Sequence, residues 1–123
     1  MAKILVIEDD QGLLEMLATM LELDGHVVMQ ATNGKKGTDL VEKFSFDLVI
    51  TDMVMPEKEG LETIRELRWK RPGTKIIAIS GGGKGKASDY LAMAAKLGAH
   101  RTIAKPFSKT EIQSAVAGLL AEK

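Results

Sequence analysis

Glu8, Asp9 and Asp10 follow directly on the apolar run Ile4 to Ile7, Asp52 follows Leu48 to Ile50, Ser80 closes Ile76 to Ile79, and Lys105 precedes Pro106 just after Ile103. Each of these polar residues stands at the carboxyl end of an apolar segment. Brought to one rim, three or more carboxylates would repel one another and raise each other's pKa unless a cation held them together. A hard divalent ion such as Mg²⁺ suits that set. It takes oxygen ligands in octahedral geometry and keeps several waters, so one or two carboxylates, a backbone carbonyl and a phosphoryl oxygen complete its shell. Lys105 would pair with Asp52 in an empty site and with a phosphoryl group in a loaded one, with the Ser80 hydroxyl beside it. These parts suit phosphoryl transfer, where positioning and charge neutralisation do most of the catalysis. Asp52 is the carboxylate that could attack phosphorus and form an acyl phosphate.

The elements that must position these groups are legible in the hydropathy pattern. Five short apolar runs recur, at Ile4 to Ile7, Val27 to Met29, Leu48 to Ile50, Ile76 to Ile79 and around Ile103. Between them the periodicity is helical: Leu13, Leu17 and Leu21; Leu40, Val41 and Phe44; Leu61, Ile64 and Leu67; Leu91, Ala94 and Ala95; Ile112, Val116, Leu119 and Leu120. Asp24-Gly25, Asn33-Gly34, Pro72-Gly73 and Leu97-Gly98 mark breaks, and Ser108 with Glu111 has the spacing of a capping box. Runs that are apolar throughout predict strands buried on both faces, as in a parallel sheet covered by crossover helices. The expected fold is a doubly wound α/β sandwich with no internal linker, whose chemistry collects at the carboxyl ends of the strands.

Composition narrows the function classes. The chain has 123 residues, 45% apolar and 28% charged, with 17 Lys plus Arg against 17 Asp plus Glu and no cysteine. Domains run roughly 100 to 200 residues, so the expectation is a single domain over residues 1–123 with no effector domain in this chain. Balanced charge argues against direct nucleic-acid binding, which needs clustered excess Lys and Arg. Absent cysteine excludes disulfides, thiolate metal sites and cysteine nucleophiles, and nothing at the amino terminus reads as a signal peptide or membrane span. A cytoplasmic location without membrane contact is expected.

With these residues in view, the chain resembles the receiver (REC) domains of two-component response regulators, of the chemotaxis-receiver type, over essentially its whole length. The resemblance is carried by Lys3 to Asp10, by Asp47 to Pro56 followed by Gly60, by Ile77 to Gly81, and by Ala104-Lys105-Pro106-Phe107. It implies a flavodoxin-like (βα)5 fold with strand order 2-1-3-4-5. It further implies that Asp52 is the phosphoacceptor, assisted by Lys105 and Ser80, which grip the phosphoryl oxygens. Mg²⁺, with Mn²⁺ as a substitute, would be held directly by Asp9, Asp52 and the backbone carbonyl of Val54, and through water by Glu8. No organic cofactor is implied. The family commonly has a cis peptide at the position of Lys105-Pro106. The implied donor is a sensor histidine kinase or phosphotransfer protein, and small phosphodonors serve many members. The implied output is a downstream protein target or a separate effector domain. A weak homodimer could form through the fourth helix, fifth strand and fifth helix.

Departures from the family pattern carry their own expectations. The switch pair would be Ser80 and the residue three before the lysine, where the family has an aromatic or His and this chain has Thr102. The stretch Gly81-Gly82-Gly83-Lys84-Gly85-Lys86 is permissive and costly to order, so ordering of that loop is expected to carry the signal. Val54 and Gly82, at positions that influence water access in the family, cannot orient a hydrolytic water. A long-lived phosphoryl group is expected.

Rival readings rest on fewer residues. A Mg²⁺-dependent phosphohydrolase would need a second Asp two residues after Asp52, where Val54 stands. Flavin phosphate would be repelled by Glu8 and Asp9. A P-loop fails at Ser80 and Ala87. A pseudo-receiver that binds partners without phosphorylation is the main alternative, kept by Thr102 and opposed by the intact acidic set. Asp10 and Asp47 read as structural, Arg68 to Arg71 as a helix end, His26 and His100 as surface or strand-edge residues, the methionines as core filler, and Gly37 as a soft point in the second helix.

Overall fold

Unbroken apolar runs become the inner strands, and the amphipathic stretches between them become helices laid on both faces. The computed structural model describes residues 2–53, 57–81 and 86–122, with stretches 57–60 and 86–91 described in their backbone only. The elements are β1 (Lys3–Ile7), α1 (Gln11–Leu23), β2 (Val27–Ala31), α2 (Gly34–Lys43), β3 (Leu48–Asp52), α3 (Glu57–Lys70), β4 (Lys75–Ser80), α4 (Lys86–Leu97), β5 (Arg101–Ala104) and α5 (Lys109–Ala121). The five strands form one sheet in the order β2-β1-β3-β4-β5, all pairs parallel. This is the expected flavodoxin-like doubly wound topology.

Alternate residues of each inner strand feed opposite cores. Val6, Ile50 and Ile79 pack with Leu14, Leu17 and Leu21 of α1 and with Ile112, Val116 and Leu119 of α5. Leu5, Val49 and Ile76 pack on the other face with Val41 of α2, Ile64 and Leu67 of α3, and Ala94 of α4. Each such Leu or Ile taken out of water contributes about 1.5–3 kcal/mol, which holds the helices to the sheet and the strand ends in register.

Local signals set the boundaries. Asp10 caps α1, its Oδ1 accepting the Leu13 N–H at 3.1 Å. Asn33 opens α2 by accepting the Lys36 N–H at 2.8 Å, so the Asn33-Gly34 pair begins a helix. Ser108 and Glu111 form the reciprocal capping box of α5. Gly25 and Gly98, with φ of 94° and 120°, make the left-handed turns after α1 and α4.

Three expectations need correction. The edge strands are not buried throughout: β2 buries only Ala31 fully, and β5 only Ile103, because each has a neighbour on one side alone. Phe44 ends α2 as its C-cap and is 42% exposed, while Phe46 enters the core at 7%. Gly37 is buried against Ile7: a Cβ there would overlap Ile7 Cδ1 and come within 2.8 Å of Cγ1. The glycine is therefore demanded by the close approach of α2 to β1.

Candidate functional site

Parallel register brings the strand ends to one rim. Ile7 pairs with Thr51, Asp52 with Ile79, and Ser80 with Ala104, so the residues at or just past those ends meet. Glu8, Asp52 and Ser80 are buried, at 1%, 2% and 1% exposure. Glu8 leaves β1 with its N–H donating to Ala31 O at 3.0 Å. Its Oε2 accepts the Asp10 N–H at 3.0 Å, which turns the chain into α1.

Lys105 crosses the rim from the end of β5. Its N–H donates to Ser80 O at 2.8 Å, continuing the ladder beyond the strand. Its ammonium stands 3.2 Å from Glu8 Oε1 and 3.2 Å from Asp52 Oδ2. The Lys105-Pro106 peptide is cis.

Carboxylate oxygens of Glu8, Asp9 and Asp52 can lie within 4.8 Å of one another. Glu8 and Asp52 are buried, and Asp9 is exposed toward solvent. Burial first, and then the adjoining Asp52 carboxyl, pushes Glu8 up to about 8, against the opposing pull of the Asp10 N–H and the Lys105 ammonium. Burial alone would depress the pKa of Lys105, yet the facing charges of Asp52 and Glu8 more than offset it and the net shift is upward. One ammonium faces three carboxyl groups. A set of oxygen donors alone is what a hard divalent cation takes up, and such a cation would draw the proton from Glu8.

The Ser80 hydroxyl is buried and has no hydrogen-bond partner among the described residues. An orphaned buried hydroxyl is uncommon. Here it sits at the carboxyl end of β4, beside the strand that ends in Asp52, and is free to donate to an oxygen arriving at the rim.

The structure thus assembles Glu8, Asp9, Asp52, Ser80 and Lys105. Thr102 is not among them: it lies exposed on β5 opposite Ala78, two register positions before the Ser80 and Ala104 pair. Val54, Gly82, Gly83, Lys84 and Gly85 lie outside the described residues. Asp47 is structural, its Oδ2 accepting the Lys3 N–H at 2.8 Å. Arg68 and Arg71 tie down the end of α3 by donating to Pro72 O at 2.8 Å and to Val41 O at 3.1 and 3.2 Å. His26 and His100 are half-buried, their Nδ1 atoms accepting the N–H of Ala2 at 3.2 Å and of Ile76 at 3.1 Å. A groove between α2 and α3 is lined by Lys35, Asp39, Glu42, Glu62, Glu66 and Lys70, with Lys70 paired to Glu42 and Glu66. Sequence reasoning placed Gly81 in the motif and the glycine-rich loop after Ser80 but not against Lys105, whose stem crosses its backbone. The only sequence signal of that contact was a glycine directly after Ser80.

No described helix is long and apolar enough to cross a membrane. A family model for the response regulator receiver domain matches residues 4–117. The chain is 32% identical over 120 residues to the transcriptional regulatory protein CpxR of Escherichia coli strain K12, an alignment covering 98% of this chain and 50% of CpxR. It is also 32% identical over 114 residues to sporulation initiation phosphotransferase F of Bacillus subtilis strain 168, covering 93% of this chain and 90% of that protein. The chain therefore spans about half the length of CpxR, and nearly all of the Bacillus protein. Among solved structures, a response regulator receiver domain protein from Clostridium thermocellum superposes with a TM-score of 0.88 at 32% identity, covering 98% of this chain and 94% of that one.

Proposed function

The chain belongs to the response regulator receiver domain family, and from that premise we propose that Asp52 accepts a phosphoryl group from a phosphohistidine of a sensor kinase or phosphotransfer protein. The observation that carries this reading is the Lys105 ammonium held 3.2 Å from both Glu8 and Asp52. A lysine so held is ready to follow negative charge from the empty acidic rim onto an incoming phosphoryl group.

In the reaction, an Asp52 carboxylate oxygen attacks phosphorus. The new acyl phosphate bond forms as the bond from phosphorus to the donor nitrogen breaks, and the bonding pair leaves with the imidazole. Lys105 moves its charge toward the transferred oxygens, and the buried Ser80 hydroxyl donates to one of them. Glu8, Asp9 and Asp52 fit a hard cation by donor type; by the family pattern Asp9, Asp52 and the Val54 carbonyl would hold it directly and Glu8 would do so through water. Mg²⁺, or Mn²⁺ in its place, would supply charge neutralisation between carboxylate and phosphate.

The domain catalyses its own phosphorylation and dephosphorylation and is otherwise a signalling module. Residues 1–123 are read as one receiver domain in the cytoplasm. Its output is a change in the face formed by α4, β5 and α5, offered to a protein target, a separate effector domain or a second copy. Incubation with Mg²⁺ and acetyl or carbamoyl phosphate, followed by intact mass measurement, tests the reading. A single phosphate adduct on the wild type and none on Asp52→Ala is expected. No adduct on the wild type with any of several donors overturns it in favour of a phosphorylation-independent module.

A further inference from the structure

We infer that Gly81 is a positioning residue for Lys105: the missing side chain lets the lysine stem lie flat across the backbone after Ser80, so that the ammonium spans Glu8 and Asp52. The inference deepens the proposed phosphoacceptor reading by naming what holds its cationic group.

The lysine has little freedom at its root. Its N–H is bonded to Ser80 O at 2.8 Å, and the preceding Ala104 is paired with Ser80 across the parallel ladder. A Cβ at position 81 would overlap Lys105 Cβ and lie 3.0 Å from Cγ and 3.1 Å from Cδ. Cβ moves only with the backbone, so no rotation about the side-chain bonds removes that overlap. Cγ and Cδ can swing aside by rotation, whereas Cβ at the root cannot. Relief requires the β5 end to shift, and the ammonium shifts with it.

Backbone conformation does not explain the glycine. Gly25 and Gly98 have positive φ, and Gly81 does not. Gly73 and Gly118 have nothing within 4 Å of a built Cβ. Close approach of the Lys105 stem is what distinguishes position 81.

The experiment uses the full chain, with Gly81→Ala, Gly81→Val and the control Gly73→Ala. The ammonium nitrogen of Lys105 is followed by NMR with ¹⁵N-lysine label, its signal assigned by loss in Lys105→Met. In the wild type and in Gly73→Ala this signal is expected to stand apart from those of solvent-exposed lysines. It is expected to move toward them in Gly81→Ala and further in Gly81→Val. Phosphorylation by acetyl phosphate is expected to slow by roughly tenfold or more in Gly81→Val, because an ångström of misplacement is costly in a positioned reaction. Gly81→Val combined with Lys105→Met should be no slower than Lys105→Met alone.

An unmoved Lys105 signal in folded Gly81→Val, or multiplying losses in the double variant, overturns the inference. If Gly81→Val does not fold, Gly81→Val with Lys105→Gly should recover the melting transition, since the obstructing stem is gone, and failure to recover it overturns the inference as well. Should the wild type accept no phosphate, the functional reading fails while the NMR comparison still decides the role of Gly81.

Discussion

Lys105 and Asp52 are 53 positions apart in sequence, yet Nζ and Oδ2 are 3.2 Å apart. Their pairing closes the site across three strands, because Glu8 shares the same ammonium at 3.2 Å. Replacing Lys105 with Met leaves two buried carboxylates without their cation. Stability in metal-free buffer is expected to fall by about 1–3 kcal/mol, less than for a fully buried pair because the ammonium is partly in solvent. Phosphorylation by acetyl phosphate should slow by about 100-fold, the order expected when a charge-stabilising donor is removed. Urea melts and single-turnover mass measurements read the two effects.

Glu8 gives the site a dependence on pH. Its pKa of about 8 in the fold stands above the ordinary 4.5, with burial the first cause and Asp52 the second. The folded state therefore keeps a proton that the unfolded state releases. That contribution is fully present below pH 4.5 and is lost as pH rises through about 8. In EDTA, Glu8→Gln should gain stability relative to wild type steadily across this interval. Millimolar Mg²⁺ should raise the wild-type melting temperature, and less so for Asp9→Ala, whose carboxylate is lost from the set. Thermal melts at several pH values, with and without the ion, check both.

His100 works with the opposite sign at the other end of the sheet. Its Nδ1 accepts the Ile76 N–H at 3.1 Å, while the His100 backbone N–H donates to Ile76 O at 2.8 Å. Burial first, then the positive charges of Arg68 and Lys75, lower its pKa below 6.5, with Glu122 opposing. The unfolded state thus takes up a proton that the folded state resists. The stabilisation is complete above pH 6.5 and declines as pH falls through the lower folded value. His100→Ala should cost about 1 kcal/mol at pH 8 through the stranded Ile76 N–H. Chemical denaturation at pH 8 and pH 5 should show that difference shrink.

Two helical glycines should respond oppositely to alanine. Gly118 on α5 has open space around a built Cβ, so Gly118→Ala is expected to stabilise by about 0.5–1 kcal/mol through reduced backbone entropy in the unfolded chain. Gly37 faces fully buried Ile7. Overpacking there should outweigh the helix preference of alanine, and Gly37→Ala is expected to destabilise by about 1–3 kcal/mol. Melting temperatures of the two variants against wild type decide it.

Much of this molecule was legible in its residues because the determining signals are local. The runs at Ile4, Leu48 and Ile76 read as strands buried on both faces and are so, and Asp10 and Ser108 carry their helix starts in their own side chains. The edge strands were misjudged because burial there depends on how many neighbours a strand has, which no local pattern encodes. Phe44 was misjudged because a helical stripe does not say where the helix stops, and Phe46, past the end, took the buried place.

The sequence by itself determined which chemistry the strand ends could offer: carboxylates at 8, 9 and 52, a hydroxyl at 80 and an ammonium at 105. Tertiary structure alone decided what state those groups are in. Parallel register set Lys105 between Glu8 and Asp52, burial raised Glu8, and the same packing left the Ser80 hydroxyl without a partner among the described residues. Two glycines that looked merely permissive, Gly37 and Gly81, proved to be points where Ile7 and Lys105 come too close for a Cβ. Residue type is fixed along the chain, but distance and solvent access arise only when distant segments meet, and they set a group's charge and its reach.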